Sequence, residues 1–333
     1  MTFGTHRFCV APMMDWTDRH DRYFLRLLSR HARLYTEMIP TGALLHGDRE
    51  RFLRFDASEH PVALQLGGAE PEALAQCAEF GEAAGYDEVN VNCGCPSDRV
   101  QEAEFGACLM LDPHRVARAV KAMRAAVRVP VTVKCRIGVD DSEEYPFLRT
   151  FIGTVADAGC ELFIIHARKA WLSGLSPAEN REIPPLQYAT VYRLKRDFPH
   201  LKIIINGGIR TLAECTEHLR HVDGVMLGRE VYENPWLLTE ADARLFGATP
   251  RFTSRADVVY ALKPYVEREL ASGTLLNHMT RHILGLFRSQ PGGRAFRRVL
   301  SQQAHVRGAD FRVLAAALAA MESNVPAQEA VAS

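Results

Sequence analysis

Eight short apolar runs recur along the first two thirds of the chain, and segments with helical spacing separate them. The runs are residues 8–14, 34–38, 61–67, 88–92, 130–136, 161–167, 202–208 and 224–228. Apolar spacing and start signals predict helices over residues 18–30, 70–84, 113–127, 144–158, 186–198 and 211–219, whereas residues 41–55 are less regular. Runs without polar alternation, such as Ile203-Ile204-Ile205, indicate a sheet covered on both faces.

This alternation of strands and helices predicts the α/β class. Eight such units within residues 1–245 match the size of a (β/α)8 TIM barrel. A doubly wound sheet is the competing arrangement, but it does not usually place ligand-type residues at so many strand ends. We therefore expect a barrel.

After Pro235-Trp236 the pattern becomes helical only. Periodic segments cover residues 256–270, 276–287, 295–303 and 310–321, with Gly273, Pro291-Gly292-Gly293 and Gly308 between them. This predicts a small helical domain over residues 246–322, followed by a disordered tail at 323–333.

Composition narrows the class of protein. The chain is 47% hydrophobic and 24% charged, and it lacks an apolar run of membrane-spanning length. Its N-terminus lacks a signal-peptide layout, and its eight cysteines lack the paired spacing of zinc ligands. We expect a cytoplasmic enzyme without membrane or metal partners, and a monomer.

The charge distribution is uneven although the net charge is zero. The 40 basic residues are 34 Arg and 6 Lys, and residues 281–312 contain seven Arg and one acid, about +6. Arg294 and Arg298 are four apart and share a helix face, with Arg297 beside them. A solvated face is the ordinary interpretation, but Arg is also the better fork for phosphate, which favours nucleic acid.

Polar and small residues follow nearly every predicted strand. In a barrel, the carboxyl ends of the strands form the active face. The residues there are Pro12, Met13, Gln65, Asn92, Cys95, Lys134, Arg136, His166, Arg168, Lys169, Asn206, Gly207, Gly208, Gly228 and Arg229.

Glycines after strands seven and eight indicate a phosphate site, because their backbone N–H groups are accessible and Arg229 adds a charged fork. A flat phosphorylated cofactor fits, and FMN fits best: Gln65 suits the ring edge, Lys134 suits negative charge on the reduced ring, and Pro12 with Met13 offers an apolar platform. His166 is a phosphate or ring contact in this interpretation. Tight turns for the glycines and a core role for His166 are the alternatives.

Several motifs together resemble the tRNA-dihydrouridine synthases, over residues 8–318. They are Ala11-Pro12-Met13, Gln65-Leu66-Gly67-Gly68, Asn92-Cys93-Gly94-Cys95-Pro96-Ser97, Lys134-Cys135-Arg136, His166-Ala167-Arg168, Asn206-Gly207-Gly208 and Gly228-Arg229. The runs at residues 81–97 and 166–185 closely resemble the bacterial branch that acts on uridines 20 and 20a.

The resemblance implies an FMN-bearing barrel with a helical tRNA-binding domain, and NADPH as reductant. Hydride passes from flavin nitrogen 5 to uracil carbon 6, and the cysteine of the Gly-Cys-Pro motif, here Cys95, protonates carbon 5. Cys93 has no role in this scheme. Asn92 and Arg168 suit the uracil carbonyls. From the placement of their charges, we also expect Arg168, Lys169 and Arg181, in the loop after strand six, to line one tRNA groove with Arg294, Arg297 and Arg298.

Two other functions stay open from the residues alone. A flavoprotein acting on a free small molecule, like dihydroorotate dehydrogenase or old yellow enzyme, explains the barrel but not the Arg-rich segment. An RNA-binding module with a vestigial flavin site explains that segment but not Lys134, His166 and Cys95 together.

Overall fold

Eight parallel strands follow one another around a barrel in the computed structural model, which describes residues 6–102 and 104–323. They are β1 (Phe8–Val10), β2 (Leu34–Pro40), β3 (Val62–Gly67), β4 (Glu88–Cys93), β5 (Val131–Arg136), β6 (Leu162–His166), β7 (Lys202–Asn206) and β8 (Gly224–Leu227). Each strand from β2 to β8 pairs with the next in the chain, and β8 pairs with β1. Every strand lies within a predicted run or extends it by at most two residues.

Backbone hydrogen bonds between β1 and the residue before β2 complete the ring. The N–H of Val10 donates to the carbonyl of Arg33 at 2.9 Å, and the N–H of Arg33 donates to the carbonyl of Phe8 at 3.0 Å. The predicted (β/α)8 barrel is therefore confirmed, as are the helices that follow it.

Helices follow the strands, and side chains cap the starts of some of them. They are α1 (Arg19–Leu28), α2 (Thr41–His46), α3 (Arg49–Leu53), α4 (Pro71–Ala84), α5 (Asp98–Glu102), α6 (Pro113–Ala126), α7 (Glu144–Asp157), α8 (Tyr188–Asp197) and α9 (Leu212–His218). Asp112 caps α6 by accepting from the N–H of Arg115, and Thr211 and Glu214 form a reciprocal capping box on α9. The less regular segment at residues 41–55 contains α2 and α3.

Alternate strand residues face the barrel interior, which has an apolar side and a polar side. The apolar cluster is Cys9, Ala11, Tyr35, Ala63, Leu162, Ile164, Ile204 and Met226. The polar side comes from the buried side chains of β3, β4 and β5, namely Gln65, Glu88, Asn90, Asn92 and Thr132. The carboxyl ends of the strands, where the functional residues are expected, lie next to the apolar side and the polar side alike.

The contacts divide the chain into two compact units. The first comprises Met1–Arg19 and His31–Gly228, and the second comprises His20–Arg30 and Arg229–Ser333. Besides α1, the second contains α10 (Arg229–Glu233), α11 (Leu237–Phe246), α12 (Arg255–Ala261), α13 (Lys263–Ala271), α14 (Leu276–Thr280), α15 (Gly293–Gln303) and α16 (Phe311–Glu322).

The predicted boundary after residue 245 falls inside the second unit, near the end of α11. Arg288 pairs with Glu233 of α10 at 3.2 Å, and the guanidinium of Arg255 lies 5.1 Å from the ring centroid of Trp236. These contacts group α10 and α11 with the later helices. The predicted tail lies outside the described residues, apart from Ser323.

Helix α1 was predicted as a barrel helix but groups with the second unit. His20 shares a 2.8 Å hydrogen bond with the hydroxyl of Tyr265, and Tyr23 stacks on the same ring with centroids 3.8 Å apart. The continuous helix predicted at residues 256–270 is divided between α12 and α13, because Pro264 lacks the N–H that would continue the ladder. Within the described residues, no helix has the length and apolar character needed to cross a membrane.

Candidate active site

Five side chains at the carboxyl ends of β3 to β7 form the centre of the site. They are the predicted residues Gln65, Asn92, Lys134, His166 and Asn206. The strand register places Asn92 beside Lys134 and His166 beside Asn206. Asn92 Nδ2 donates to Gln65 Oε1 at 2.8 Å. The barrel thus assembles residues that are up to 141 positions apart in the chain.

The loop after β4 holds Cys95 by its backbone. Asn92 Oδ1 accepts the N–H groups of Gly94 and Cys95, each at 3.0 Å. The carbonyl of Cys95 accepts the N–H of Ala107 at 2.8 Å. Cys95 as a residue is partly exposed. Its backbone is therefore fixed from both sides in a part of the chain that is not fully buried.

Cys93 is in a different environment. It is fully buried on the opposite face of β4 from Asn92 and lies beside Cys135 in the strand register. Burial raises the pKa of the Cys93 thiol well above its ordinary value. The thiol is therefore protonated and inaccessible, in keeping with a packing role. Within the described residues, no three His, Cys, Asp or Glu side chains group as a metal site requires.

Two basic side chains give the site a positive field. Burial and the neighbouring Arg136 lower the pKa of Lys134 to about 8. Burial, with Arg181 and Arg168 nearby, lowers the pKa of Arg136 to about 10. Among the described residues, the amine of Lys134 makes no hydrogen bond or ion pair. An anion bound here would relieve the repulsion.

His166 presents a neutral ring. Burial, then Arg136 and Lys134, lower its pKa well below the ordinary 6.5. Its Nδ1 atom is buried and has no hydrogen-bond partner within the described residues. Because buried polar atoms are rarely left without a partner, this nitrogen indicates a ligand position.

Three glycines, Gly207, Gly208 and Gly228, follow β7 and β8, and together they are called the glycine edge. Gly207 and Gly208 have φ values of +116° and +70°, which favour glycine. A Cβ on Gly207 would lie 3.1 Å from the ring of His166. Asn206 pairs with Met226 at the ends of β7 and β8, so Gly207 and Gly208 follow one strand where Gly228 follows its neighbour. Backbone N–H groups at such strand ends can bind a phosphate.

The remaining predicted cofactor residues lie at the ends of β1 and β8. Met13 packs partly buried against the apolar interior, and its N–H donates to Thr17 Oγ1 at 2.9 Å. A Cβ on Gly228 would lie 3.4 Å from the Met13 sulfur, so Met13 and Gly228 are neighbours. Pro12 precedes Met13, and Arg229 begins α10. An apolar platform, an amine, a histidine and a glycine edge fit FMN.

The three basic residues after β6 differ in their contacts. Lys169 Nζ donates to the carbonyls of Asp140 and Ser142, the latter at 2.7 Å. Arg168 donates to the carbonyls of Glu182 and Pro184 in its own loop. Arg181 is exposed. Lys169 and Arg168 therefore also hold the loop.

Arg136 and Asn180 shape the site, although sequence reasoning gave neither a role. Arg136 donates to the carbonyls of Gly94, Lys169 and Asn180, at 3.1, 3.1 and 2.9 Å. Asn180 is fully buried and bonds three times to the backbone of Trp171 and Leu175. Arg136 therefore joins the Cys95 loop to the loop after β6. Its position at a strand end was a signal, but its carbonyl partners were visible only in the structure.

In the second unit, helix α15 carries the predicted basic group. Arg294 and Arg298 are exposed, Arg297 is half-buried, and none pairs with a described acid. In contrast, Arg288 pairs with Glu233 at 3.2 Å, and Arg312 pairs with Asp310 at 2.9 Å. Three arginines of the Arg-rich segment that have no acidic partner among the described residues thus lie together on α15.

Comparison with known families gives a match over almost the whole chain. The model of the dihydrouridine synthase (Dus) family matches residues 9–323. The chain belongs to this family, and the resemblance found in the sequence is confirmed.

Curated relatives narrow the similarity to one branch. A protein named tRNA-dihydrouridine(20/20a) synthase from Escherichia coli O6:H1 is 61% identical over 95% of this chain and 96% of its own. Proteins of the same name from Salmonella typhi and Vibrio cholerae are 62% and 58% identical, over 94% and 97% of this chain and 94% and 98% of theirs. A solved morphinone reductase in complex with tetrahydroNAD superposes with a TM-score of 0.49 at 15% identity, over 73% of this chain and 87% of that one, too weak for any argument.

Proposed function

We propose that this chain reduces uridines 20 and 20a of the tRNA D-loop to 5,6-dihydrouridine, with FMN as cofactor and NADPH as reductant. The uridine positions follow the name that these relatives carry. The observation that carries the chemistry is the Cys95 loop: a partly exposed cysteine on a fixed backbone, in electrostatic contact with Lys134.

The residues that would hold FMN are those of the glycine edge and the strand ends. Gly207, Gly208 and Gly228 would take the phosphate on their backbone N–H groups. The ring would lie against Pro12 and Met13, with Gln65, Lys134, His166 and Asn206 at its polar edge. When bound, reduced FMN supplies the hydride for uracil carbon 6.

Cys95 donates the proton that completes the reduction. The S–H bond breaks and a C–H bond forms at carbon 5, so that hydride and proton together saturate the carbon 5–carbon 6 double bond. General acid catalysis by a positioned group contributes roughly 10²- to 10⁴-fold. Because the backbone of Cys95 is held at two points, little motion is needed to position the sulfur.

The target uridine must leave the tRNA stack to reach the site. Extruding a base costs a few kcal/mol, which contacts elsewhere on the tRNA must offset. Asn92 and Arg168 would bond the uracil carbonyls. Lys169 and Arg181 in the first unit, and separately the α15 arginines Arg294, Arg297 and Arg298 in the second, would bind tRNA phosphates.

We further propose that the protein acts as a monomer in the cytoplasm. No residue of the site has to come from a second copy, since the thiol, the amine and the glycine edge belong to one chain. Light scattering of the purified protein, alone and with tRNA, tests this assignment. A stable dimer would contradict it.

One experiment tests the whole function. The purified protein is expected to be yellow, to bleach with NADPH under nitrogen, and to recover its colour when unmodified tRNA is added. Sequencing the tRNA product should locate dihydrouridine at positions 20 and 20a. Reoxidation by a free pyrimidine but not by tRNA would instead support a small-molecule flavoprotein.

A further inference from the structure

A row of hydrogen-bonded side chains crosses the polar side of the barrel from its base to the Cys95 loop. Thr132 Oγ1 donates to Glu88 Oε1 at 2.6 Å, and Asn90 Nδ2 donates to Thr132 Oγ1 at 2.8 Å. Gln65 Nε2 donates to Asn90 Oδ1 at 2.8 Å, and Asn92 Nδ2 donates to Gln65 Oε1 at 2.8 Å. All five residues are buried, with Asn92 the most accessible at 9%.

Glu88, at the lower end of the row, can only accept hydrogen bonds. Although burial opposes ionisation, His6 and Arg33 lower the pKa of Glu88 to about 2. His6 Nε2 lies 2.6 Å and Arg33 NH1 3.2 Å from the same carboxylate oxygen. An ionised carboxylate has no hydrogen to donate, so the hydroxyl of Thr132 must donate to it.

The backbone groups at the upper end of the row can only donate hydrogen bonds. The backbone N–H groups of Gly94 and Cys95 both point at Asn92 Oδ1. An Asn amide turned by 180° would place its NH2 group against these two donors.

The two fixed ends therefore determine every amide between them. With Oδ1 of Asn92 towards the loop, its Nδ2 faces Gln65 and requires an acceptor there. Gln65 then presents Oε1 upward and Nε2 downward, and Asn90 presents Oδ1 upward and Nδ2 downward. The hydroxyl of Thr132 accepts from Asn90 and donates to Glu88, so the directions set by the two ends agree.

The directions of these amides decide which hydrogen-bond donors and acceptors the site presents to a ligand. Asn92 Oδ1 already accepts two hydrogen bonds, so only one N–H of Nδ2 remains for a ligand. A donor at this position suits a carbonyl, as on uracil, and opposes an amino group, as on cytosine. Gln65 retains one N–H and one lone pair, which match a ring edge that carries both an acceptor and a donor.

We propose that Glu88, Thr132 and Asn90 are positioning residues that set the direction of the Gln65 and Asn92 amides, so that Asn92 acts only as a donor and selects a carbonyl-bearing base. This inference rests on the proposed function, since the carbonyl-bearing base is the target uridine.

The test replaces Thr132, because Thr132→Val removes the hydroxyl but keeps the shape. Without it, Asn90 Nδ2 loses its acceptor and the row is held only from the Asn92 end, so the Asn90 and Gln65 amides are less firmly oriented. We expect the affinity of the apoprotein for FMN and the single-turnover rate of tRNA reduction at saturating tRNA each to fall roughly tenfold, with tRNA affinity unchanged. Thr132→Ser restores the hydroxyl and should bring both values back to within about twofold of the parent.

The matched control is Thr239→Val, which removes a buried hydroxyl that donates to the carbonyl of Trp236 at 2.6 Å in the second unit. It should lower thermal stability without changing either measurement. If Thr132→Val behaves like this control, the row is only structural and the proposal is overturned.

Neutron diffraction of the parent protein locates the amide deuterons without reference to activity. Deuterons on Nδ2 of Asn92 and Nε2 of Gln65, directed as described, support the proposal, and a reversed amide overturns it. A colourless parent protein that leaves tRNA unchanged would refute the proposed function, whereas the neutron result would still decide the direction of the amides.

Discussion

At the residue scale, two thiols separated by one residue have opposite environments. Cys93 is the last residue of β4 and faces away from the interior, where burial raises its pKa. Cys95 lies beyond the strand, partly exposed, on a backbone held by Asn92 and Ala107. The two environments differ because Cys93 is on the outward face of β4, whereas the strand has ended before Cys95.

Cys95→Ala should therefore abolish turnover while leaving cofactor chemistry intact. We expect the rate of dihydrouridine formation to fall by roughly 10²- to 10⁴-fold, the usual contribution of a general acid. FMN content and bleaching by NADPH should match the parent protein. The control is Cys93→Ala, which should cost about 1 kcal/mol of stability but keep turnover per folded molecule. Inactivity of the control with normal turnover by Cys95→Ala would exchange the roles of the two thiols.

The ionisation of Glu88 should make the free energy of unfolding depend on pH in the acidic range. Its pKa is about 2 when folded, against about 4.3 for an unfolded Glu, so the stabilisation is present above pH 4.3 and is lost as the pH falls towards 2. The difference is worth about 3 kcal/mol. The groups that face the carboxylate are His6, Cys9, Arg33, Tyr35 and Thr132.

Urea unfolding at a series of pH values measures this contribution. Glu88→Gln should be less stable at pH 7, because Arg33 and His6 lose their anion, and should lose about 3 kcal/mol less between pH 5 and pH 2. Glu72→Gln, on the exposed first turn of α4, is the control. A Glu88→Gln profile parallel to that of the parent protein would contradict the assignment.

At the scale of elements, the ends of β7 and β8 combine two kinds of glycine. Gly208 has a positive φ, and an added Cβ would lie 2.5 Å from Leu186 Cδ1, so any side chain there strains the fold. Gly228 has ordinary backbone angles, and its nearest neighbours would be at 3.4 and 3.5 Å. Only Gly228 can be changed without disturbing the protein itself.

Gly228→Ala should therefore fold normally and bind FMN poorly, because the methyl group occupies the space through which the phosphate approaches the backbone. We expect the Kd for FMN, from fluorescence titration of the apoprotein, to rise roughly tenfold or more. Gly42→Ala, whose added Cβ would meet nothing within 4 Å, is the control and should bind as the parent does. Full FMN affinity in Gly228→Ala would place the phosphate elsewhere.

At the scale of the whole molecule, the net charge is zero although basic residues cluster on α15. In the Arg-rich segment, Arg288 and Arg312 pair with acids, whereas Arg294, Arg297 and Arg298 on α15 have no acidic partner among the described residues. Unpaired arginines are the ones that can release counterions from tRNA phosphates.

Arg297→Ala combined with Arg298→Ala should weaken tRNA binding and lower the log–log salt slope by roughly two, about one for each lost phosphate contact. The measurement is a salt titration of tRNA affinity. Bleaching of the flavin by NADPH should not change, because that step involves the barrel residues. The matched control combines Arg288→Ala with Arg312→Ala, since both are already paired, and its slope should stay near that of the parent. Equal slopes for both double variants would identify the α15 arginines as a solvated face.

The chain by itself determined the order and kind of the elements. The eight apolar runs became the eight strands because a sheet buried on both faces requires continuous apolar sequence, which is a local property. The residues at the strand ends were also predictable, since parallel strands bring their carboxyl ends to one face. The sequence thus indicated Gln65, Asn92, Lys134 and His166 before their mutual positions were known.

The tertiary structure decided which helices pack together and which side chains form hydrogen bonds with one another. The grouping of α1 with the later helices depends on contacts such as that of His20 with Tyr265, 245 residues apart, which periodicity does not encode. The carbonyl partners of Arg136 lie on two separate loops, one after β4 and one after β6. The row from Glu88 to Asn92 likewise joins three strands, because side chains that alternate along each strand meet only after the register is set. Periodicity reports which face is buried, whereas the direction of a hydrogen bond depends on what lies across that face.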